Sequence, residues 1–368
     1  MDIPTEPIGS IPRPRELLAA WEGHTAGVVS SAALETAYAR ALEDTIRRFE
    51  DTGSPVISDG EQRKFHNFAT YAVEGLPNLA PDGFALKFTN HVRRWPRLTK
   101  GPFHYRRYAY EFLDDARRLT CRPLKQAVIS PSAVSLLYPA EELPGYTRKA
   151  FVADLLDEHE HEVRGCLERG AHSVQVDFTE GRLACKLDPS GELLNSFIHL
   201  NNLALNRLSP DERRRVGVHT CPGGDRDSTH SADVDYADLL PSLFQLNAGM
   251  FYVALAREPD RGRVLALISR ELKPHQRVFV GVVDPLDPRI DTPEEVCGRV
   301  LEAASYIPLS QLGTTDDCGY APFCDDTSTS RETAFAKIAA RVAGTRLASQ
   351  RIAQGDVKDA AYRSDYAR

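Results

Sequence analysis

The segment GVHTCPGGDRDSTH, residues 217–230, sets His219 and Cys221 two positions apart at the end of an apolar run. On an extended chain, residues i and i+2 point the same way, so this imidazole and thiol can share one cation. Zinc takes about four ligands in a tetrahedron, with nitrogen and sulfur favoured, and a catalytic site leaves one position for substrate. The remaining ligands must come from other segments. Cys318, in GTTDDCGYAPFC, follows another apolar run, and Gly319 after it permits a tight turn. Cys324, on the same loop, is the reserve ligand. Glu258, in VALAREPDR, follows a third run and is the obvious oxygen ligand. Each has a bland alternative: an H-x-C pair where a strand stops, a cysteine acting as a small buried hydrophobe, a carboxylate at a helix start. Cys121, Cys166, Cys185 and Cys297 lie in helical or strand-like contexts and are expected to be inert core residues.

These side chains need elements to bring them together. Short β-rich runs at 6–10, 55–59, 126–130, 173–177, 215–220, 250–255, 277–284 and 310–315 alternate with longer charged segments of helical periodicity. Several runs are apolar on both faces, as strands of a buried parallel sheet are. Ser30 or Ser31 caps the helix that ends near residue 51. A second helical segment, 146–171, ends at Gly170, and Asp291-Thr292-Pro293 opens a third. Eight strand-helix units predict an α/β fold, a TIM (β/α)8 barrel of ~250 residues plus insertions. A doubly wound open sheet shows the same alternation. The polar residues Ser10, Asp59, Glu61, Asp177, His219, Cys221, Glu258, Asp284 and Cys318 all follow strand candidates. A barrel gathers such positions on its C-terminal face, whereas an open sheet spreads them along an edge, so the barrel is preferred. The expected organisation is one catalytic domain, 1–345, with an insertion at about 84–112 over the C-terminal face and a weakly anchored tail, 346–368.

The insertion carries Arg93, Arg94, Arg97, Lys100, Arg106 and Arg107 among Trp95, Phe103, Tyr105 and Tyr108. It reads as a solvated hairpin over the barrel mouth, or as a cationic wall for an anionic substrate or a second protomer. A net charge of −7 argues against a nucleic-acid partner. No apolar run reaches the ~18–20 residues of a membrane span. The opening MDIPTEPIGSIPRP lacks the basic start and apolar stretch of a signal peptide, and seven scattered cysteines do not suggest a disulfide framework. A cytoplasmic protein with reduced thiols is expected, with self-association left open.

The ordered motifs IGSIPRP (8–14), DGEQRK (59–64), KQAVISPS (125–132), VQVD (174–177), HTC (219–221), GVVD (281–284) and DDCG (316–319) resemble the catalytic barrel of cobalamin-independent methionine synthases. Their superfamily also contains epoxyalkane:coenzyme M transferase. The resemblance implies zinc held by His219, Cys221, Glu258 and Cys318. It further implies that carboxylates matching Glu61 and Asp177 hold the amino group of homocysteine, with Asp59 beside them. The backbone at Ile8, Gly9 and Ser10 would meet the amino-acid end, and Asp284 would belong to the catalytic set. Zinc would hold the substrate thiol as a thiolate at neutral pH, ready to attack a methyl carbon.

Three departures qualify the resemblance. Large methionine synthases carry a duplicated N-terminal barrel, for which this chain has no room. The family's D-E-P-A reads DFTEGRL here, so Asp177 persists while the next carboxylate becomes Phe178. The proton-donating histidine after the GVVD aspartate is absent, with Leu286 in DPLDPR, which puts folate as donor in question and admits a methylcorrinoid or another carrier. His230 and Asp227 are candidate acids. The expected function is zinc-dependent methyl transfer to homocysteine or a related small thiol. The alternatives are a thiol alkyltransferase or C–S lyase of the epoxyalkane type, or a non-catalytic zinc- or thiol-binding barrel.

Overall fold

A computed structural model describes residues 2–355 of the chain. Six parallel strands form its centre: β1 (Lys125–Ile129), β2 (Ser173–Asp177), β3 (Val216–Thr220), β4 (Met250–Val253), β5 (Arg277–Val283) and β6 (Leu312–Asp316). They are hydrogen-bonded in chain order from β1 to β6. Every residue of β1, β2, β3, β4 and β6 is buried, as a sheet covered on both faces requires.

The first two expected strands are much shorter than predicted. Thr5 makes a single parallel bridge to Thr314 on β6, and Ile57 makes one to Leu124 beside β1. Prolines at positions 4, 7 and 55 have no N–H to give a ladder, which confines pairing to single contacts. Side chains complete the seam, with Ser58 Oγ donating to Gly9 O at 3.0 Å. The two segments thus carry the six-stranded sheet round into a TIM-barrel-like fold.

Helices pack outside, and their ends follow local chemistry. Ser30 Oγ accepts Ala33 N to start the helix Ser31–Asp51. Thr292 and Glu295 form a reciprocal capping box around Pro293 at the head of Pro293–Ala304. Arg148–Glu168 ends before Gly170, whose φ is +79°. The expected domain boundary at 345 falls inside the helix Arg331–Ala353. There Ala348 and Ser349 are buried, and Ser349 Oγ accepts Ile3 N; residues 356–368 of the expected tail lie outside the described residues. Among the described residues, no helix is long and apolar enough to cross a membrane.

The insertion folds as predicted in outline. Ala85–Lys87 pairs antiparallel with Val92–Arg94, and Leu79–Ala80 pairs with Arg97–Leu98. Its tip rests on the loop after β3, where Thr89 N donates to Ser228 Oγ.

Candidate metal centre and thiol pocket

His219 is the penultimate residue of β3, and Cys221 follows that strand directly. Cys318 comes two residues after β6. The ligand atoms of these three side chains lie within 4.8 Å of one another. Register explains part of this, because Asp177 at the end of β2 pairs with His219. Asp177 Oδ1 accepts His219 Nδ1–H at 2.9 Å and Gln175 Nε2 at 2.7 Å. Holding the proton on Nδ1 leaves Nε2 as a bare lone pair, and Nε2 is buried without a partner. A histidine oriented by a carboxylate with its other nitrogen unpaired is the usual arrangement of a metal ligand. Burial opposes charge on this ring, but the Asp177 hydrogen bond and charge outweigh it and hold its pKa above the ordinary value.

The two sulfurs are 3.2 Å apart, well beyond a disulfide bond. Contact with Cys221, reinforced by burial, pushes the Cys318 thiol well above the usual range. Two thiols in contact, one buried and one half-buried, ionise together only if a cation compensates them, so the donor set and the orphan nitrogen fit a soft or borderline divalent metal.

Glu258, the expected oxygen ligand, does not join this group. It sits on the turn after β4, whose backbone is pinned from the other side. Asp317 accepts the N–H groups of Leu255, Ala256 and Arg257 at 2.8–3.1 Å. Gly281 lets that carboxylate approach, since a Cβ there would lie 1.8 Å from Asp317 Oδ1. Cys324 also stands apart, packing beside the N-terminal helices with its N–H on His66 O.

The three ligand candidates line a cavity of about 50 Å³ together with Ile8, Ser10, Glu61 and Asp177. These strand-end residues therefore converge as the barrel predicts. Gly9 and Asp59 support the wall without lining it: Gly9 O takes the Ser58 hydroxyl, and Asp59 Oδ1 takes Glu61 N at 2.9 Å. Asp284 lines an adjoining small cavity with Leu286 and Arg257, whose wall shares Cys318 and Gly319 with the main one, and burial raises its pKa. Asp227 is exposed. His230 does reach the main cavity, where burial lowers its pKa to about 4. Its ring passes against Gly223, where a Cβ would lie 1.8 Å from Nε2.

The cap over this cavity is apolar. Leu86, Phe88 and Trp95 from the insertion meet Phe68, Pro322 and Phe323. Among the described residues, no lysine or arginine lines the cavity, so those of the insertion do not form the expected cationic wall around it. Arg93 faces outward, bonding both oxygens of buried Asp225 at 2.6 and 3.0 Å and Asp325 at 2.7 Å, with its guanidinium over Phe323. Arg97 pairs with Asp82, Arg106 bonds Gly75 O, and Arg94, Lys100 and Arg107 are exposed. Sequence reasoning missed Gln175 and Lys64. Gln175 had a signal, since it alternates with Ser173 and Asp177 along one face of a strand whose other face is Val174 and Val176. Among the four cysteines expected in the core, Cys166 and Cys297 are buried, Cys185 is half-buried and Cys121 is exposed.

Residues 3–341 match the family model described as the cobalamin-independent synthase catalytic domain. A methionine synthase of Sulfurisphaera tokodaii is 25% identical over 355 residues, 95% of this chain and 94% of that one. One from Saccharolobus islandicus is 23% identical, over 95% and 96% of the respective chains. Among solved structures, a B12-independent methionine synthase from Shewanella sp. W3-18-1, in complex with selenomethionine, superposes with a TM-score of 0.76. It is 19% identical, covering 96% of this chain and all of that one. A putative B12-independent methionine synthase from Listeria monocytogenes gives 0.67 at 21% identity, covering 94% and 96%. At these identities the solved structures support the shared fold.

Proposed function

The chain belongs to the cobalamin-independent synthase catalytic-domain family, and we propose that it methylates the thiol of homocysteine, with zinc held by His219, Cys221 and Cys318. The observation that carries this reading is the convergence of those three side chains in one cavity with Glu61 and Asp177. Zinc bound there would supply a Lewis-acidic centre that stabilises the substrate thiol as thiolate. Three protein ligands leave a position open for that thiol, which favours catalysis over a closed structural site. Glu258 is a further ligand only if its loop leaves Asp317.

The chain's own residues then have distinct tasks. Asp177 fixes the His219 tautomer through Oδ1 and, with Glu61, offers negative charge to an ammonium group. Ile8 and Ser10 form the wall at the amino-acid end. Phe88 and Trp95 keep water out of the cavity, which strengthens every charge interaction inside it. Asp284 lines the adjoining cavity that shares Cys318 with this one, and no step of this scheme is assigned to it. His230 is neutral at physiological pH, so it can offer a hydrogen bond but no ready proton. With Leu286 in place of an acid, this favours a donor whose leaving group needs no protonation, such as a methylcorrinoid, over methyltetrahydrofolate. The epoxyalkane-type alternative calls for a cationic side chain to meet an anionic substrate, and among the described residues no arginine lines the cavity. We place the enzyme in the cytoplasm as part of the same proposal.

The test is methionine formation by zinc-loaded protein from L-homocysteine, with methylcobalamin or methyltetrahydrofolate supplied separately. Methionine with methylcobalamin and none with the folate is expected. No methionine from any methyl donor, with zinc bound and homocysteine present, would overturn the reading.

A further inference from the structure

Lys64 has a buried ammonium whose donors are all engaged within the protein. Its side chain is fully buried. Nζ donates to Glu61 Oε1 at 3.1 Å and to Ala127 O at 2.7 Å, and lies 4.5 Å from the centroid of the Tyr71 ring. Two hydrogen bonds and one aromatic face account for the three N–H groups of an ammonium. Lys64 does not line the cavity, and its one side-chain hydrogen-bond partner that does is Glu61.

Glu61 is held on every other side as well. Its φ is +57°, a left-handed conformation uncommon for a residue with a side chain. Its N–H is tied to Asp59 Oδ1, and its carbonyl accepts Arg13 Nη2 at 3.2 Å. With Oε1 taken by Lys64, Oε2 is the oxygen left for a ligand.

The charges facing Glu61 are Asp59 and Asp177 on one side, Lys64 and Arg13 on the other. Asp177 is itself engaged with His219. Behind Lys64, Tyr71 OH donates to buried Glu162. Burial raises the Glu61 pKa and both neighbouring carboxylates add to that rise; Lys64 opposes it without cancelling it. Removing Lys64 takes away that opposition and shifts Glu61 further towards its protonated form, which offers an ammonium no charge.

We infer that Lys64 is a positioning residue for amine recognition: its ammonium pairs with one oxygen of Glu61, aims the free oxygen at the ammonium of an amino-acid thiol, and so selects such thiols over those lacking the amine. The inference rests on the reading above that Glu61 meets the substrate amine, and the test separates the two.

Zinc-loaded protein is titrated calorimetrically with L-homocysteine and with 4-sulfanylbutanoate, which lacks the amino group. Wild type, Lys64→Met and Glu61→Gln are compared from about pH 6 to about pH 8. Both probes carry the thiol ionisation, so their affinity ratio reports the amine alone. Lys64→Met is expected to lose about tenfold or more of the homocysteine preference at the acid end. It should recover part of that preference as pH rises and Glu61 ionises, with 4-sulfanylbutanoate binding unchanged. Glu61→Gln should lose the preference at every pH. If Lys64→Met keeps the full preference throughout while Glu61→Gln loses it, Lys64 has no such role and the amine reading stands. If Glu61→Gln keeps it, the amine reading falls and this inference falls with it. Should the methionine variant not fold, Lys64→Gln, which can still donate to Ala127 O, carries the same comparison.

Discussion

The floor and the cap of the cavity solve opposite problems. The floor is polar and built on strand ends: His219, Cys221, Cys318, Asp177 and Glu61 occupy positions set by sheet register and by buried hydrogen bonds. The cap is an excursion of short hairpins that presents Leu86, Phe88 and Trp95 inward and turns its charge outward. The floor holds charges in fixed geometry, where a small displacement is costly. The cap covers the cavity with apolar side chains. Its rim is tied down where Arg93 and His91 share Asp225 and Arg93 also reaches Asp325. Fixed charge belongs to the floor and apolar cover to the cap, and substitutions should divide along that line.

The largest effects belong to the floor. Cys221→Ser or Cys318→Ser should remove most bound zinc and all methyl transfer, read by metal analysis and methionine assay. Asp177→Ala should weaken metal affinity by roughly 10–100-fold, because the His219 tautomer is no longer fixed; competition with a chromogenic chelator measures this. Glu61→Gln should leave zinc in place and weaken homocysteine binding by about one to two orders of magnitude. Metal loss in that variant would mean that the amine and metal functions are not separable.

The cap should respond differently. Arg93→Ala removes one partner of a buried carboxylate, but His91 still donates to Asp225. The loss of stability in chemical denaturation should therefore be about 2 kcal/mol, below the ~3–5 of a fully buried broken pair. Zinc content should be unchanged, and slow turnover with leakage of unproductive chemistry would appear only once the rim opens. Arg94→Ala, on the exposed side, should change neither stability nor homocysteine affinity. An Arg94 effect as large as that of Arg93 would show that the outward charges do more than latch the cap.

The floor was largely legible in the sequence, and the cap only in outline. His219, Cys221 and Cys318 could be picked out because their types suit metal ligation and strand alternation sets the spacing of the first two, and the fold brings the three within 4.8 Å. The β1–β6 strands could be read from short β-rich runs, several of them apolar on both faces. Prolines at 4, 7 and 55 hid how little of the first two strands would pair, since the hydrophobic pattern survives where the hydrogen-bond ladder does not. Glu258 had the right chemistry after the right strand, but Asp317 gathering three N–H groups of its loop is a contact between distant segments that no local pattern encodes. In the insertion, composition counted arginines correctly and said nothing of which way they face. The partners of Arg93, Asp225 and Asp325, lie more than a hundred residues away. Lys64 was in view within DGEQRK, but its meaning depends on Ala127 and Tyr71, which only the folded chain brings to it.

The most direct test of the account is the zinc content of protein purified without added metal, measured by mass spectrometry for wild type and Cys318→Ser together. The account predicts about one zinc per chain in the wild type and a large loss in the variant. Wild type without zinc, or a Cys318→Ser variant that keeps it in full, would contradict a thiolate site built on His219, Cys221 and Cys318.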